Sequence, residues 1–304
     1  MDIPSPSYNL GISGGSHASM TGQMMISIEE VLKIERPDYV LLYGDTNSTL
    51  AGALTAAKLN MRVAHVEAGL RSFNMQMPEE VNRIITDRLS KVLFCPTSSA
   101  MLNLQMEGFP HLNELIIHSG DVMQDAAIYY SKISASRSDV LNRLQIGEFV
   151  LATLHRQENT DNTLRLRNII EALNEINTKT EVVMPLHPRT RKLIESLAIK
   201  VNFRMIQPVG YFDMIELLKK CSAVLTDSGG LQKEAYFFGK FCLTMRDETE
   251  WTELIDGGYN TLCGAEKVRI LSNFELLPTC VADFSVQLYG GGKASEIIAM
   301  TLQD

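Results

Sequence analysis

Ala223-Val224-Leu225-Thr226-Asp227-Ser228-Gly229-Gly230-Leu231-Gln232-Lys233-Glu234-Ala235-Tyr236-Phe237-Phe238 passes from a short apolar run, through Ser-Gly-Gly, into a helix-like stretch. It predicts a strand over 223–226, a tight turn, and a helix over 231–238. Such a turn presents backbone N–H groups at a helix N-terminus. Glycine has no Cβ to hold an anion away, and the helix dipole favours negative charge. A phosphate suits Ser228, Gly229 and Gly230, and Glu234, one turn further, is placed to accept from ribose hydroxyls. An Asp cap on a Gly-rich turn is the plainer reading of the same residues. There is no G-x-x-x-x-G-K-[ST] in the chain and no G-x-G-x-x-G after a strand, so neither a P-loop nor an NAD fingerprint is present.

The same alternation repeats outward from this segment. Runs rich in Val, Ile and Leu stand at 39–43, 62–66, 92–95, 115–118, 149–154, 181–186, 203–206, 223–226 and 241–245. Most lack polar alternation, which predicts parallel strands covered on both faces. Helical stretches lie between them. Pro78-Glu79-Glu80 opens one with Pro in the first turn and acids that suit the macrodipole. Strands alternating with helices predict an α/β fold with parallel sheets. A polar stretch over 131–148 carries no strand, so two domains are expected, 1–145 and 146–304, with a terminal helix at about 292–303. The first 27 residues offer no good strand, so the first domain is expected to be incomplete.

Composition narrows the class. Of 304 residues, 45% are hydrophobic and 21% charged, which is a globular balance. No apolar run reaches the roughly 18 residues of a membrane span, and the first residues carry no basic and apolar leader. The net charge of -8, with scattered Lys and Arg, argues against nucleic acid as a partner. Five cysteines without a C-x-x-C fit neither a disulfide framework nor a zinc site, so a cytoplasmic protein with no metal is expected.

Ligand-contacting residues of open α/β sheets gather beyond the carboxyl ends of the strands. There the chain carries Gly44-Asp45-Thr46, His65-Val66-Glu67, His155-Arg156-Gln157-Glu158, His187-Pro188-Arg189, Asp227-Ser228 and Arg246-Asp247-Glu248. Asp45 equally suits a cap for a helix from Thr46, and Glu79 and Glu80 suit any first turn. His187 before Pro suits a loop. Glu67 precedes Ala-Gly, a poor capping context, and His155 to Glu158 crowds three ionisable side chains into four residues.

In order along the chain, Tyr43-Gly44-Asp45-Thr46-Asn47-Ser48, His65-Val66-Glu67-Ala68-Gly69-Leu70-Arg71, Pro78-Glu79-Glu80-Val81-Asn82-Arg83, Leu154-His155-Arg156, Leu186-His187-Pro188-Arg189, Asp227-Ser228-Gly229-Gly230-Leu231-Gln232-Lys233-Glu234 and Met245-Arg246-Asp247-Glu248-Thr249-Glu250 resemble the non-hydrolysing UDP-N-acetylglucosamine 2-epimerase family. The resemblance implies a GT-B-like fold, two Rossmann-like doubly wound domains with a cleft between them, the terminal helix crossing back to the first. It implies a homodimer, a UDP-sugar as partner, no membrane and no cofactor. The reaction it implies interconverts UDP-GlcNAc and UDP-ManNAc by elimination and re-addition of UDP through a 2-acetamidoglucal.

By family position the catalytic group is Asp45, Glu67, Glu79 and His155, with Asp45 and Glu67 as the acid–base pair near C2. Ser228, Gly229 and Gly230 fall at the diphosphate, with Arg246 adding charge. Glu234 falls at the ribose and Met214 at the uracil. Arg83 is expected to pair with Glu79 at helical spacing, and His187 matches a regulatory position. Arg71-Ser72-Phe73-Asn74, Gly120-Asp121-Val122-Met123-Gln124-Asp125, Thr249-Glu250-Trp251 and Gln287-Leu288-Tyr289-Gly290-Gly291-Gly292 resemble the branch acting on UDP-2,3-diacetamido-2,3-dideoxyglucuronic acid, which makes that sugar the alternative substrate. The family's opening strand with Gly-x-Arg-Pro is not in the sequence. The 39–43 strand is therefore expected at a sheet edge, and an inactive UDP-binding chain is a further reading.

Overall fold

The computed structural model describes residues 3–303, which form an α/β fold with two parallel sheets in two compact units. One unit takes the chain as far as Val122 and again from Leu288; the other takes Met123–Gln287.

The first unit holds β1 (Tyr39–Tyr43), β2 (Arg62–Val66), β3 (Val92–Cys95) and β4 (Leu115–His118), side by side in chain order and all parallel. β1 is an edge strand of this sheet. Alternate residues of a strand face opposite ways, and here each set finds its own cover. Val40, Leu42 and Val63 pack with Leu32 of helix His17–Glu35 and Ala56 of helix Asn47–Lys58. Leu41, Ala64, Val66 and Phe94 pack with Ile298 of helix Ala294–Thr301. With both faces buried, the strands need no polar residues, which is why they read as continuous apolar runs.

The second unit holds β5 (Phe149–Thr153), β6 (Glu181–Pro185), β7 (Arg204–Ile206), β8 (Val224–Thr226), β9 (Cys242–Thr244) and β10 (Asn260–Leu262), in the spatial order β10-β9-β8-β5-β6-β7. All its pairs are parallel. The chain leaves β5 toward β6 and β7, then returns to β5's other side at β8. That reversal opens a crevice at the carboxyl ends of β5 and β8, the usual ligand position in doubly wound sheets. Val150 and Ala152 pack with Leu166, Ile169 and Ile170 on one face; Phe149 and Leu151 pack with Leu217, Leu218 and Leu231 on the other.

Two sequence expectations need correction. β10 went unread, because Asn260-Thr261-Leu262 is short and only Leu262 is apolar. The polar stretch around 131–148 is not a boundary linker: the chain divides at Val122 and Met123, not at 145 and 146. Its short helices Ser134–Arg137 and Val140–Leu144 dock on helix Tyr211–Lys220. Lys219 Nζ donates to Ser131 O (2.7 Å) and Ser134 Oγ (2.8 Å), and Ser138 Oγ donates to Asp213 Oδ1 (2.6 Å). The polar residues that suggested a linker are the docking contacts.

The last residues are fastened to the first unit by a close backbone approach. Asp121 N donates to Tyr289 O (2.9 Å), and Tyr289 is fully buried. Gly120 has φ +83°, and a Cβ there would lie 2.6 Å from Tyr289 O and 2.9 Å from Gly290 Cα. Gly120→Ala is therefore expected to cost about 1–3 kcal/mol or more in urea unfolding. Gly147→Ala, with nothing within 4 Å of its Cβ, is expected to stay within about 0.5 kcal/mol of wild type.

Candidate active site

In the first unit the parallel register sets Tyr43 beside Val66, so the next residues of the two strands emerge together. Gly44 turns with φ +65° and presents Asp45; Glu67 itself adopts φ +74°. The Glu67 carboxylate lies against the Gly44 turn, with Oε2 3.4 Å from where a Gly44 Cβ would stand. Two carboxylates far apart in sequence thus flank one turn. Left-handed backbone costs a non-glycine residue about 1–2 kcal/mol, so Glu67 is held where an ordinary strand end would not leave it.

Asp45 is fixed from helix Pro78–Leu89. Arg83 approaches Asp45 Oδ2 through Nε (3.0 Å) and Nη2 (2.8 Å), and Asn82 Nδ2 donates to Asp45 O (2.8 Å). Arg83 Nη1 donates to Glu80 Oε2 (2.7 Å). The expected pairing of Arg83 with Glu79 is therefore replaced by Glu80 and Asp45. Successive helix positions are turned by about 100°, so Glu80 faces inward and takes the ion pair with Arg83, while Glu79 is half-buried and, among the described residues, makes no ion pair. Glu80 also accepts from the Ser72 N–H (2.9 Å) and hydroxyl (3.1 Å) and from the Phe73 N–H (2.9 Å). Burial pushes the Glu80 carboxyl up, but these amides and the Arg83 charge outweigh it, and its pKa falls below the ordinary value.

In the second unit the crevice between β5 and β8 is organised by Asp227, which has no exposed surface. Its carboxylate accepts the N–H groups of His155 (3.1 Å) and Arg156 (2.9 Å) and the Asn159 amide (3.3 Å). His155 is thereby positioned by its backbone, with its ring half exposed and Nδ1 3.5 Å from Asp227 Oδ1. Ser228 caps helix Gly229–Phe237, its Oγ accepting the Leu231 N–H (3.3 Å). The N–H groups of Gly229 and Gly230 open this helix and lie outside its internal ladder. The helix starts before the 231–238 expected from sequence.

A cavity of about 360 Å³ opens beside that N-terminus, with Pro185, Val209 and Met214 giving it an apolar wall and Glu234 and Ser228 a polar end. Glu234 is almost buried and takes the Tyr211 hydroxyl as hydrogen-bond partner. Burial raises its pKa against the opposing pull of Tyr211 and Lys233. His187 caps helix Pro188–Ser196, its Nδ1 accepting the Arg189 N–H (3.3 Å), and it lines this same cavity. Arg246 is 1% exposed and turned inward: Nη1 donates to Glu250 Oε2 (3.0 Å), and Glu250 Oε1 borders Gly229.

Sequence reasoning missed the apolar wall beyond Met214, the inward role of Glu80, and the grip of Asp227 on the His155 backbone. It also missed a cluster behind the Asp45 turn, buried His65, Asp87 and Arg71 with the partly exposed Glu107 at its rim. Its one visible signal was a histidine inside an apolar strand. Among the described residues no cluster of metal-ligating side chains occurs, and no helix is long and apolar enough to cross a membrane.

A family model described as UDP-N-acetylglucosamine 2-epimerase matches residues 1–303. The chain is 53% identical over 300 residues to the UDP-2,3-diacetamido-2,3-dideoxy-D-glucuronate 2-epimerase of Pseudomonas aeruginosa, covering 98% of this chain and 84% of that one. A solved structure of Methanocaldococcus jannaschii UDP-GlcNAc 2-epimerase in complex with UDP-GlcNAc and UDP superposes with TM-score 0.91 at 40% identity, covering 99% of this chain and 85% of that one. The Neisseria meningitidis UDP-GlcNAc 2-epimerase bound to UDP-GlcNAc gives 0.90 at 33% identity, with 98% and 85% covered. The fold is α/β and GT-B-like.

The lowered pKa of Glu80 has a consequence for stability. A carboxyl whose folded pKa is depressed stabilises the fold above its unfolded value and loses that contribution as pH falls through the folded one. Glu80→Gln is expected to be about 1.5–3 kcal/mol less stable than wild type at pH 7. The gap in urea unfolding should narrow as pH is lowered from about 4.5.

Proposed function

Since the chain belongs to the UDP-N-acetylglucosamine 2-epimerase family, we propose that it inverts C2 of a UDP-linked 2-acetamido sugar, interconverting UDP-GlcNAc and UDP-ManNAc without hydrolysis. It is an isomerase. C2 of such a sugar carries a proton with no adjacent carbonyl to acidify it. Breaking the C1–O bond first gives C1 oxocarbenium character and acidifies that proton. Loss of UDP and the C2 proton leaves a 2-acetamidoglucal; protonation on the opposite face and return of UDP to C1 complete the inversion. No net oxidation occurs.

The chemistry asks for a diphosphate hold, a proton acceptor and a proton donor at C2. In this reading the Gly229 and Gly230 N–H groups and the Ser228 hydroxyl hold the diphosphate, Glu234 takes the ribose and the Met214 wall takes the uracil. Arg246 acts through Glu250 beside Gly229. Asp45 and Glu67 exchange the proton at C2, and their juxtaposition at adjacent strand ends is the observation that carries the assignment. Arg83 orients Asp45. Glu79, half-buried in the first turn of its helix, and His155, half exposed beside Asp227, serve the leaving group. His187, in the wall of the nucleotide cavity, is where a second UDP-sugar would be sensed. On the same reading the enzyme works in the cytoplasm as a homodimer; the buried Cys221, Cys242 and Cys263 thiols, each pushed up to about 12 by burial, suit a reducing compartment.

The 53% identity to the Pseudomonas aeruginosa protein is the ground for a second reading, in which the sugar is the 2,3-diacetamido-2,3-dideoxyglucuronate and the C2 chemistry is unchanged.

The test is incubation in D2O with each UDP-sugar, followed by proton NMR. UDP-GlcNAc is expected to give UDP-ManNAc, with deuterium at C2 of both sugars. Conversion of the uronate alone would select the second reading, and UDP binding without exchange on either sugar would overturn both. Asp45→Asn and Glu67→Gln are each expected to slow C2 exchange by about 10²–10⁴-fold with UDP affinity unchanged.

A further inference from the structure

Directly behind the Asp45 turn lies a polar cluster that the steps above do not use. His65 sits in β2 with no exposed surface. Its Nδ1 is 2.7 Å from Asp87 Oδ1, and its Nε2 is 2.8 Å from the carbonyl oxygen of Gly44. Both partners only accept. A neutral imidazole has one N–H and one lone pair, so it would set that lone pair against one of the two oxygens. Only the imidazolium satisfies both.

The surroundings are built for that charge. Asp87, reaching in from helix Pro78–Leu89, has no exposed surface and gives its other oxygen to the Gly69 N–H (3.1 Å) and Arg71 Nη1 (2.7 Å). Arg71 turns its remaining edge onto Glu107 (2.6 and 2.9 Å). Two cations and two anions therefore close on one another. Glu67, just past the end of His65's strand, adds a further negative charge. Burial alone would push His65 down; Asp87, the Gly44 carbonyl and Glu67 outweigh it, and the imidazole pKa is raised.

Gly44 is the last residue before Asp45. Its N–H donates to Val66 O (3.2 Å) and its C=O accepts from His65, so β2 holds both polar groups of this peptide turn. We propose that His65 is a permanently protonated positioning residue, whose Nε2–H clamps the Gly44 carbonyl and thereby fixes Asp45 relative to Glu67. It rests on the epimerase reading only in what the fixed carboxylates are for.

A core-filling histidine would need neither the charge nor the clamp, and the two roles separate experimentally. In 15N-labelled wild-type protein, His65 is expected to show both ring N–H protons and imidazolium nitrogen shifts that do not move between pH 6 and 9. His65→Asn keeps a donor for Asp87 but falls short of Gly44. It is expected to lose about 10²-fold in kcat for C2 exchange, the scale of a small misplacement, with KM and UDP affinity within twofold. His65→Gln, whose amide reaches as far as Nε2, is expected to recover at least tenfold of that loss. A single ring N–H, wild-type kcat in His65→Asn, or equal loss in both variants would overturn the proposal. If neither variant folds, the wild-type ring signal decides it. Absence of exchange in the wild-type protein counts against the epimerase reading, while the ring N–H count still tests the imidazolium.

Discussion

Asp87 and Asp227 are carboxylates with no exposed surface, and a charge withdrawn that far from water must be met by donors on nearly every lone pair. In each unit the donors come from the segment that carries the site. Asp87 is met by the Gly69 N–H, Arg71 and His65; Asp227 by the His155 and Arg156 N–H groups and Asn159. The loops after β2 and β5 cannot shift without stranding a buried charge. A loop is ordinarily the softest part of an α/β domain. Here the two that bear Glu67 and His155 are tied to the least exposed groups in their units.

The parallel sheets do the rest of the placement. Every strand delivers its following residue to the same edge, so residues remote in sequence meet there without a dedicated scaffold. Tyr43 against Val66 brings Asp45 to Glu67. Thr153 against Thr226 brings His155 to Asp227, and the hydroxyls of the two threonines meet at 2.6 Å. Thr226 Oγ1 then accepts the Ser228 N–H (2.9 Å), which sets the turn before the capped helix.

This explains what the sequence made legible. Nine strands could be read because both sheet faces are buried, and Asp45, Glu67, His155 and Ser228 because they stand where such strands end. Partnership was not legible. Glu79 and Glu80 are equally good first-turn residues, and only the helix's rotation against Ser72 and Phe73 selects Glu80 as the buried one. Asp87 lies 22 residues from His65 and Glu107 lies 36 from Arg71, so no local pattern links them. The polar 131–148 stretch misled for the same reason: its hydrogen bonds go to Asp213, Glu216 and Lys219, far along the chain. Composition registers polarity but not whether water or protein satisfies it.

Glu67 shows why the buried cluster and the strained turn belong together. Three residues at these strand ends take positive φ: Gly44, Glu67 and Gly69. Glycine meets that demand at two of them without steric cost, and at Gly69 nothing else fits, since a Cβ would lie 2.4 Å from Ala100 O. A glycine at 67 would relieve the backbone in the same way, but it would remove the carboxylate that faces the Asp45 turn. The strain at Glu67 is offset on both sides. Ala68 N donates to Phe94 O (3.1 Å), Gly69 N to Asp87, and the Gly44 carbonyl is held by His65. The peptide groups flanking the pair are thus pinned by hydrogen bonds whose far ends lie in the core, which keeps a side chain of this chemistry in a conformation its backbone disfavours.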